Sequence, residues 1–558
     1  MAYIHGAYGE ITASKAQSVR AGDVVVGYIG TAPVNLIRGY ATKNLVNEPI
    51  KVSNMAEATN MLGYAPDWDK FTLCEAFAEH FDNTVQNIGP IYVVNVLDPT
   101  AHRKSTQVTK SLTFSNFRCE IESDTIILDT LALAGMTEGT DYSVEYNFAK
   151  GTVMLKLLGS SSSTTVNATY YEIDADAVDS SAIIGSKTSE GVYKGLYAFD
   201  LLYSKYNAIL NILAAPGWSH IPAVYTAMVS KVTKLNGHWD GFALADIPVE
   251  DAKSEEATVN SHVATVADAK LIESTVEVWN AAGTTKGALT TDYTLAYSSG
   301  TLTVTLQSGG SLYSENKVIV KYKATVATIA EAITWKASKG YTSENSKVFW
   351  PEVKDGAGRI FHLSTVCAAT MMATDLSHEG VPFESPSNKE IMATAQYFGS
   401  TPKNQGFDQE TANGLNEKGI TTAAFWAGRW VLWGPHTAAY IYGGNMDERS
   451  IFDATLRTLM YITNSFQVDH GTQIDQPMTP QDKDSILNFE KAKLDRLKSI
   501  GALIGSPVVE FVESENSLSD MMNGDFVWHF NVTNAPVFKS GTARVTYTDE
   551  GFAAFFEA

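Results

Sequence analysis

Residues 207–248 constrain the fold more than any other stretch of the chain. They read NAILNILAAPGWSHIPAVYTAMVSKVTKLNGHWDGFALADIP. An apolar run at 208–215 leads into the turn Pro216-Gly217. Ser219 stands where a helix N-cap is expected, and Pro222 falls just inside the helix, where its missing N–H costs nothing. Val224, Met228, Val232 and Leu235 recur at helical spacing, and Asn236-Gly237 offers the left-handed residue that closes a helix. A second apolar run, 242–247, contains one acid, Asp246. Strand, helix and strand joined by so short a crossover form the building unit of a parallel sheet.

Such a unit invites a nucleotide. Dinucleotide binding needs GxGxxG at the first strand–helix turn, because a Cβ would block the pyrophosphate. Here the turn has Gly217 alone, followed by the bulky Trp218, and Asp246 is the one candidate for a ribose-binding acid. A GxxG at Gly27 to Gly30 is weaker still, and GxxxxGK[ST] does not occur. Other chemistry is equally thin. None of the 11 histidines forms HExxH or a close pair at metal spacing. His378-Glu379 runs into Gly380-Val381-Pro382 and so belongs to a loop. A GxSxG nucleophile elbow does not occur. The expectation is a protein with no catalytic residues, no cofactor and no metal.

A chain of 558 residues is long enough for several domains, and 44% hydrophobic residues suffice for sizeable cores. A net charge of −21 speaks against a nucleic-acid surface and against anionic membranes. Any self-assembly must then rely on local complementary patches and depend on salt. Cys74, Cys119 and Cys367 lie far apart, which suggests no disulfide framework and burial of each. The opening MAYIHGAYGE has neither a basic n-region nor an apolar h-region, and no run approaches the ~18 residues of a membrane span. The chain reads as soluble, made in a cytoplasm and not inserted in a membrane.

In order along the chain, residues 1–20 show no helical periodicity and read as a loose extended arm. Val24 to Pro33 reads as a strand running into a Gly-marked turn. A short helix follows, capped at Ser53 or Asn54 with Glu57 placed for a capping box. An amphipathic helix at 72–81 and a buried strand at 91–97 complete an α/β segment.

The texture changes after Asp98-Pro99. Residues 101–180 and 256–325 are rich in Thr and Ser and strongly β-patterned. Asp141-Tyr142 and Tyr146 parallel Asp292-Tyr293 and Tyr297. Gly151-Thr152 parallels Gly300-Thr301, and an alternating strand follows each. Two copies of one small β-sandwich-like module account for this order. An amphipathic helix is expected at 191–202, and helices at 329–339 and 365–375 around a strand at 348–350. A strand is expected within 422–433 and a helix at 450–463. Thr479-Pro480-Gln481-Asp482 reads as N-cap, N1 proline and acidic first turn of a helix reaching about Ile500. Three β runs, 508–512, 526–532 and 543–547, end the chain.

The helix at 482–500 carries Lys483, Lys491, Lys493, Arg496 and Lys498. Ile486, Leu487, Leu494 and Leu497 fall within an arc of about 100°, with Lys491 and Lys498 at its border. It is either an ordinary surface helix with ion pairs one turn apart or a basic docking ridge for an acidic partner.

Several of these stretches, in this order, resemble the contractile tail sheath proteins of myophages and related injection systems. Val26 to Pro33 resembles the family's strand–Gly–Thr–Ala–Pro opening. Asn54, Glu57 and Gly63 match its S–x–x–E–x–x–x–x–x–G helix, with Asn in the Ser place. Asn211-Ile212-Leu213 with Pro216-Gly217, and Asp246-Ile247-Pro248, resemble its N-I-L–x–x–P-G turn and D–x–P strand end. Gly380-Val381-Pro382 with Ser385-Pro386-Ser387-Asn388-Lys389 resembles its Gly…Pro-Ser/Ala-Asn loop. Leu415-Asn416-Glu417-Lys418-Gly419-Ile420 and Trp433-Gly434-Pro435-His436-Thr437 resemble its L-N–x–x–G-I and W-G–x–x–T motifs. The two β modules match no shared part of that family.

The resemblance implies a structural subunit of stacked hexameric rings around an inner tube, contracting on stored conformational energy without nucleotide. It implies self-association by strand exchange, contact with the tube, baseplate and tail-terminator proteins, and no direct contact with nucleic acid. The expected location is a virion tail or an extracellular contractile particle, synthesised in a host bacterial cytoplasm. The expected fold is α/β multi-domain: an arm at 1–20, a core from 21–100, 181–255 and 326–394, β-sandwich-like insertions at 101–180 and 256–325, and an α+β C-terminal domain at 395–558 with a small strand-exchange sheet. The candidate exchange residues are Tyr8, Glu10 and Ile11 in the first arm and Phe526, Trp528, Phe530, Val537, Phe538, Val545 and Tyr547 near the C-terminus. Lys491, Lys493, Arg496 and Lys498 are the candidate tube-facing positions. The competing reading is a surface or secreted carbohydrate-binding protein built on the β modules.

Overall fold

The computed structural model describes residues 24–159, 164–400 and 406–556. It is a mixed α/β structure with several sheets, divided into two compact units after Lys483.

The first unit is centred on an eight-stranded sheet. Its strands are β1 (Val26–Gly30), β2 (Pro49–Val52), β3 (Ile91–Asn95), β4 (Ile212–Ala214), β5 (Phe242–Asp246), β6 (Ser346–Phe349), β7 (Ile420–Trp426) and β8 (Arg429–Trp433). They lie in the order β2-β3-β1-β4-β5-β6-β7-β8. The six inner strands are parallel, and β2 and β8 close the edges in antiparallel pairing. Every residue of β1, β3, β4, β5 and β6 is buried. A parallel sheet covered on both faces has no use for polar alternation, which is why these strands read as mostly apolar runs.

Eight helices of eight residues or more appear among the described residues. They are α1 (Met55–Leu62), α2 (Leu73–Phe81), α3 (Pro222–Val232), α4 (Ile329–Lys339), α5 (Leu363–Ser377), α6 (Gln409–Asn416), α7 (Asp453–His470) and α8 (Pro480–Ser499). Asn54 caps α1: its side chain accepts from Glu57 N at 2.9 Å, and the Glu57 carboxylate accepts from Ser53 N at 2.8 Å. Thr479 and Asp482 do the same for α8, with Asp482 accepting from Thr479 N at 2.9 Å and Thr479 Oγ1 accepting from Asp482 N at 3.3 Å.

The unit at 207–248 is β4, α3 and β5, with Ile212 opposite Phe242 in the parallel ladder. Its details differ from the sequence reading. Pro222 is the first helical residue, but the N-cap is Ile221. Ser219 turns inward instead, its hydroxyl donating to the Asp246 carboxylate at 3.1 Å. The helix stops at Val232. Asn236 and Gly237, at φ 53° and 79°, shape the following turn, which lets Gly241 N donate to the Val232 carbonyl at 2.8 Å. The expected helix at 191–202 is a 3-10 segment, Gly195–Leu201, passing into a short helix, Leu202–Tyr206. Cys74 and Cys367 are buried as expected, but Cys119 is half-exposed on a module strand.

The two β-rich stretches share one topology. In each, three strands form one sheet in the order first–last–third: Val108–Phe114, Thr164–Tyr170, Ala132–Leu133, and then Glu250–Thr258, Lys317–Thr325, Glu277–Asn280. Three more form a second sheet in the order second–fifth–fourth. The agreement reaches side chains. Thr130 Oγ1 donates to Ile127 O at 2.7 Å and accepts from Tyr171 N at 2.9 Å. Thr275 Oγ1 donates to Ile272 O at 2.7 Å and accepts from Lys323 N at 2.9 Å. The first module is bolted to the core by Asn35, whose amide reaches Asp124 O and Ile126 O, both at 2.9 Å, and by Leu36, which packs into the module's own core.

Glu79 on α2 supplies a test of this core. It is buried; one oxygen accepts from Asn83 at 2.7 Å and the other has no hydrogen-bond partner among the described residues. Burial, and then the Glu75 charge, push its carboxyl up to about 8. The folded chain therefore keeps a proton that the unfolded chain gives up in the ordinary glutamate range. This stabilisation is complete below that range and is lost as pH rises through about 8. Between pH 6 and 8 the group should cost the wild-type chain up to about 1.4 kcal/mol per pH unit. Glu79→Gln should remove that slope in urea unfolding of the full chain; equal slopes in both proteins would refute the assignment.

Candidate functional site

In an open parallel sheet a ligand sits outside the carboxyl ends of the strands, where the strand order reverses. Here that place lies between β1 and β4, and the chain fills it. Thr31 N donates to Thr72 Oγ1 at 3.2 Å, Thr72 N to Thr31 Oγ1 at 3.1 Å, and Leu73 N to Thr31 O at 3.0 Å. A Cβ on Gly30 would lie 2.2 Å from Thr72 Oγ1, and one on Gly217 2.9 Å from Thr72 Cγ2. The two glycines make room for Thr72 at the start of α2, where a nucleotide fold would admit a phosphate. Asn95, at the end of β3, is fully used: it accepts from Ala32 N and Leu97 N and donates to Leu45 O and Leu97 O.

Asp246 is likewise internal. Its carboxylate accepts from Ser364 N at 2.9 Å and from the hydroxyls of Ser219 and Ser364, tying β5 to the first turn of α5. Burial raises its pKa against the opposing pull of His362 and Ser364. Next to it, His362 meets Glu75 twice at 2.7 Å, through its backbone N and Nδ1. Burial alone would lower this imidazole, but Glu75 and then Glu352 outweigh it and hold it well above the usual histidine range. The acid singled out in the sequence thus serves as a joint between core elements. No group of three His, Cys, Asp or Glu that could hold a metal occurs among the described residues.

Two buried lysines were not legible as functional residues. Lys347 on β6 donates to Gly434 O at 2.7 Å, His436 O at 3.1 Å and Asp453 Oδ2 at 2.6 Å. Both partners of that ion pair have no exposed side-chain surface. Lys336 on α4 donates to Lys418 O and Ala438 O, both at 2.6 Å, and burial brings it down to about 8. Between them they grip Lys418-Gly419 and the Gly434 to Ala438 loop. His436 is stacked on Tyr440 with ring centroids 3.5 Å apart. A signal was present: each lysine stands in an apolar context, Ile-Thr-Trp-Lys-Ala and Ser-Lys-Val-Phe-Trp.

The second unit begins at Asp484 within α8. Ile486, Leu494 and Leu497 are buried and Leu487 is half-buried. Lys491, Arg496 and Lys498 are exposed, whereas Lys493 is half-buried with its ammonium 2.7 Å from the buried Glu490. A two-stranded antiparallel sheet follows, pairing Val508, Val509 and Glu510 with Asn531, Phe530 and His529. The ladder is shorter than the expected strand: Phe526 and Trp528 precede it, their rings 6.5 and 5.7 Å from Phe511. Ala535 N donates to Ala502 O at 3.1 Å, outside that ladder.

Beyond Ala535 the chain is exposed from 538 to 548. No strand is assigned from 536 to 548. Phe538, Val545 and Tyr547 are 87%, 92% and 82% exposed, and Val537 is half-buried. Tyr8, Glu10 and Ile11 lie outside the described residues. The structure therefore brings Phe526, Trp528 and Phe530 to the small sheet and leaves Phe538, Val545 and Tyr547 on a bare arm.

No family model matches the chain. Over 236 residues, 41% of its length, it is 26% identical to the major tail sheath protein of Serratia phage KSP20, covering 56% of that protein. Over 168 residues, 30% of its length, it is 26% identical to a putative prophage major tail sheath protein of Pseudomonas aeruginosa, covering 42% of it. The matched stretches thus span about half the length of these relatives. Among solved structures, it overlays a chain of the anti-feeding prophage baseplate with a TM-score of 0.48 at 13% identity, over 98% of this chain and 100% of that one. The sheath complex of an extracellular contractile injection system in its contracted state gives 0.47 at 11% identity, over 98% and 100%. A sheath tail protein of Desulfitobacterium hafniense gives 0.42 at 8% identity, over 94% and 100%. The curated homologues of this chain are named as tail sheath proteins. They include major tail sheath proteins of a phage and of a prophage.

The Lys347 clamp is directly testable. Lys347→Met leaves the Asp453 carboxylate unpaired in a dry interior and should cost about 3–5 kcal/mol in urea unfolding. Adding Asp453→Leu should return most of that loss. A single variant within about 1 kcal/mol of wild type would show that the pair is not what holds α7.

Proposed function

We propose that this chain is the structural subunit of a contractile tail sheath. Its copies form stacked hexameric rings around an inner tube and contract to drive that tube through a target cell envelope. The rings run on stored conformational energy, without catalysis, nucleotide or metal. The body is 21–100 with 181–255 and 326–394, the modules at 101–180 and 256–325 decorate its outer face, and 395–558 forms the linking domain. Neighbouring copies are tied by strand exchange through the arm at 1–20 and the arm after Ala535, and α8 faces the tube. The rings also meet the baseplate and a tail-terminator protein. They touch neither nucleic acid nor membrane, and they are assembled in a host bacterial cytoplasm.

One observation carries this reading. Residues 543–547 have the alternation of a strand, with Ala543, Val545 and Tyr547 on one side, yet they are exposed and pair with no strand among the described residues. Beside them in the chain is a two-stranded sheet, a size that rarely stands alone. An apolar strand lacking a sheet and a sheet lacking strands are the two halves of β-augmentation.

Purified chain should assemble into rings or hollow cylinders by negative-stain microscopy. Deleting 1–20, or 536–558, should leave folded subunits that no longer polymerise. Normal polymers from either truncation would sink the exchange model. Reversing the three exposed cations, Lys491→Glu, Arg496→Glu and Lys498→Glu, should abolish assembly on purified tube at low salt while preserving the melting temperature. Unchanged loading on the tube would retire α8 as the tube-facing element.

A further inference from the structure

The exposed arm carries a charge as well as an apolar face, and the small sheet carries the opposite one. We propose that Arg544 of one copy pairs with Glu510 and Glu515 on the sheet of a second copy, and that this pair sets the register of the exchanged strand. The proposal rests on the strand-exchange reading above and names what makes that exchange specific.

The two faces of the small sheet differ in chemistry. Directly opposed residues of an antiparallel pair share a face. Val509 and Phe530 therefore lie on one side, and Glu510 and His529, with Val508 and Asn531, on the other. On the second face His529 bridges Glu515, at 3.1 Å, and Asn531, at 3.2 Å. Glu510 and Glu515 are exposed.

The arm reads Gly-Thr-Ala-Arg-Val-Thr-Tyr-Thr over 541–548. As a strand it turns Ala543, Val545 and Tyr547 to one side and Arg544 and Thr546 to the other. Added to an edge of the small sheet, it buries apolar area only if Val545 and Tyr547 join Val509 and Phe530. Arg544 then falls on the face of Glu510 and Glu515. A one-residue slip would reverse both faces and is excluded by the apolar side alone. A two-residue slip keeps the faces and is invisible to it. Such a slip moves Arg544 by about 6.8 Å along the edge, beyond the reach of a carboxylate pair. The guanidinium, a planar fork suited to carboxylates, discriminates where alternation cannot. The occupant is a second copy: within its own copy the arm leaves the sheet at Ala535 and runs with Val545 92% exposed. Each copy carries both halves, so the match repeats along a polymer without any further component.

The test uses full-length chain and reads the concentration at which half of it sediments as polymer. Arg544→Glu should raise that concentration by about tenfold or more, and so should Glu510→Arg with Glu515→Arg, because each sets like charges together. The three substitutions in one chain should restore polymerisation. All three positions are exposed, so the melting temperature should hold in every variant. If Arg544→Glu polymerises like wild type while deletion of 536–558 abolishes polymer, the charge pair is wrong and strand exchange stands. If the triple variant is no better than the separate ones, the pairing is likewise overturned. If the arm-deleted chain polymerises, or the wild type stays monomeric, both readings fall.

Discussion

An ammonium group out of reach of water ties β6 of the central sheet to α7. Lys347 spends its three donors on two loop carbonyls and the Asp453 carboxylate. One turn along the same helix, Arg457 forms a second buried ion pair with Asp375. Asn464, on the same face again, accepts from Asp240 N at 3.0 Å and donates to Asp240 O at 2.7 Å. Ion pairs of this kind add little net stability, since desolvating both charges costs about what their attraction returns. What they supply is geometry. A slid or rotated α7 would leave charges buried and unpaired, so the helix has one acceptable seat.

The same preference for fixed internal joints explains the carboxyl edge of the sheet. The topology is that of a nucleotide-binding fold, and the place for the ligand exists in the strand order. Thr72 occupies it, and Asp246, His362 and Glu75 bind neighbouring elements to one another. A body sewn together at the site where related topologies open for a ligand is suited to moving as one piece. That is the property the sheath reading requires of it.

Much of this was legible in the sequence where the cause is local. The apolar runs gave the parallel strands because burial on both faces removes alternation. Asn54 with Glu57, and Thr479 with Asp482, marked helix starts because capping joins residues three apart. The repeat of Asp-Tyr, Gly-Thr and an alternating strand pointed to two similar modules. What stayed hidden depends on partners distant in the chain. Ser219 looks like an N-cap until Asp246, 27 residues on, claims its hydroxyl. The apolar neighbours of Lys336 and Lys347 hint at burial, but nothing local says which loops and which helix will close over them. The arm is the opposite case: alternation predicts a strand at 543–547, and no local pattern says whether its partner lies in the same chain.

The two modules leave and rejoin the body through paired strands. Glu250, where the second departs, lies opposite Thr325, where it returns; Val108 and Tyr170 are opposed in the first. Paired strands run about 4.8 Å apart. Each module is therefore a loop whose ends already touch, and the central sheet senses only that short gap, whatever hangs beyond it. The cost of closing a loop grows slowly with its length. Modules in this position can be lengthened, exchanged or lost without shifting a single register in the central sheet.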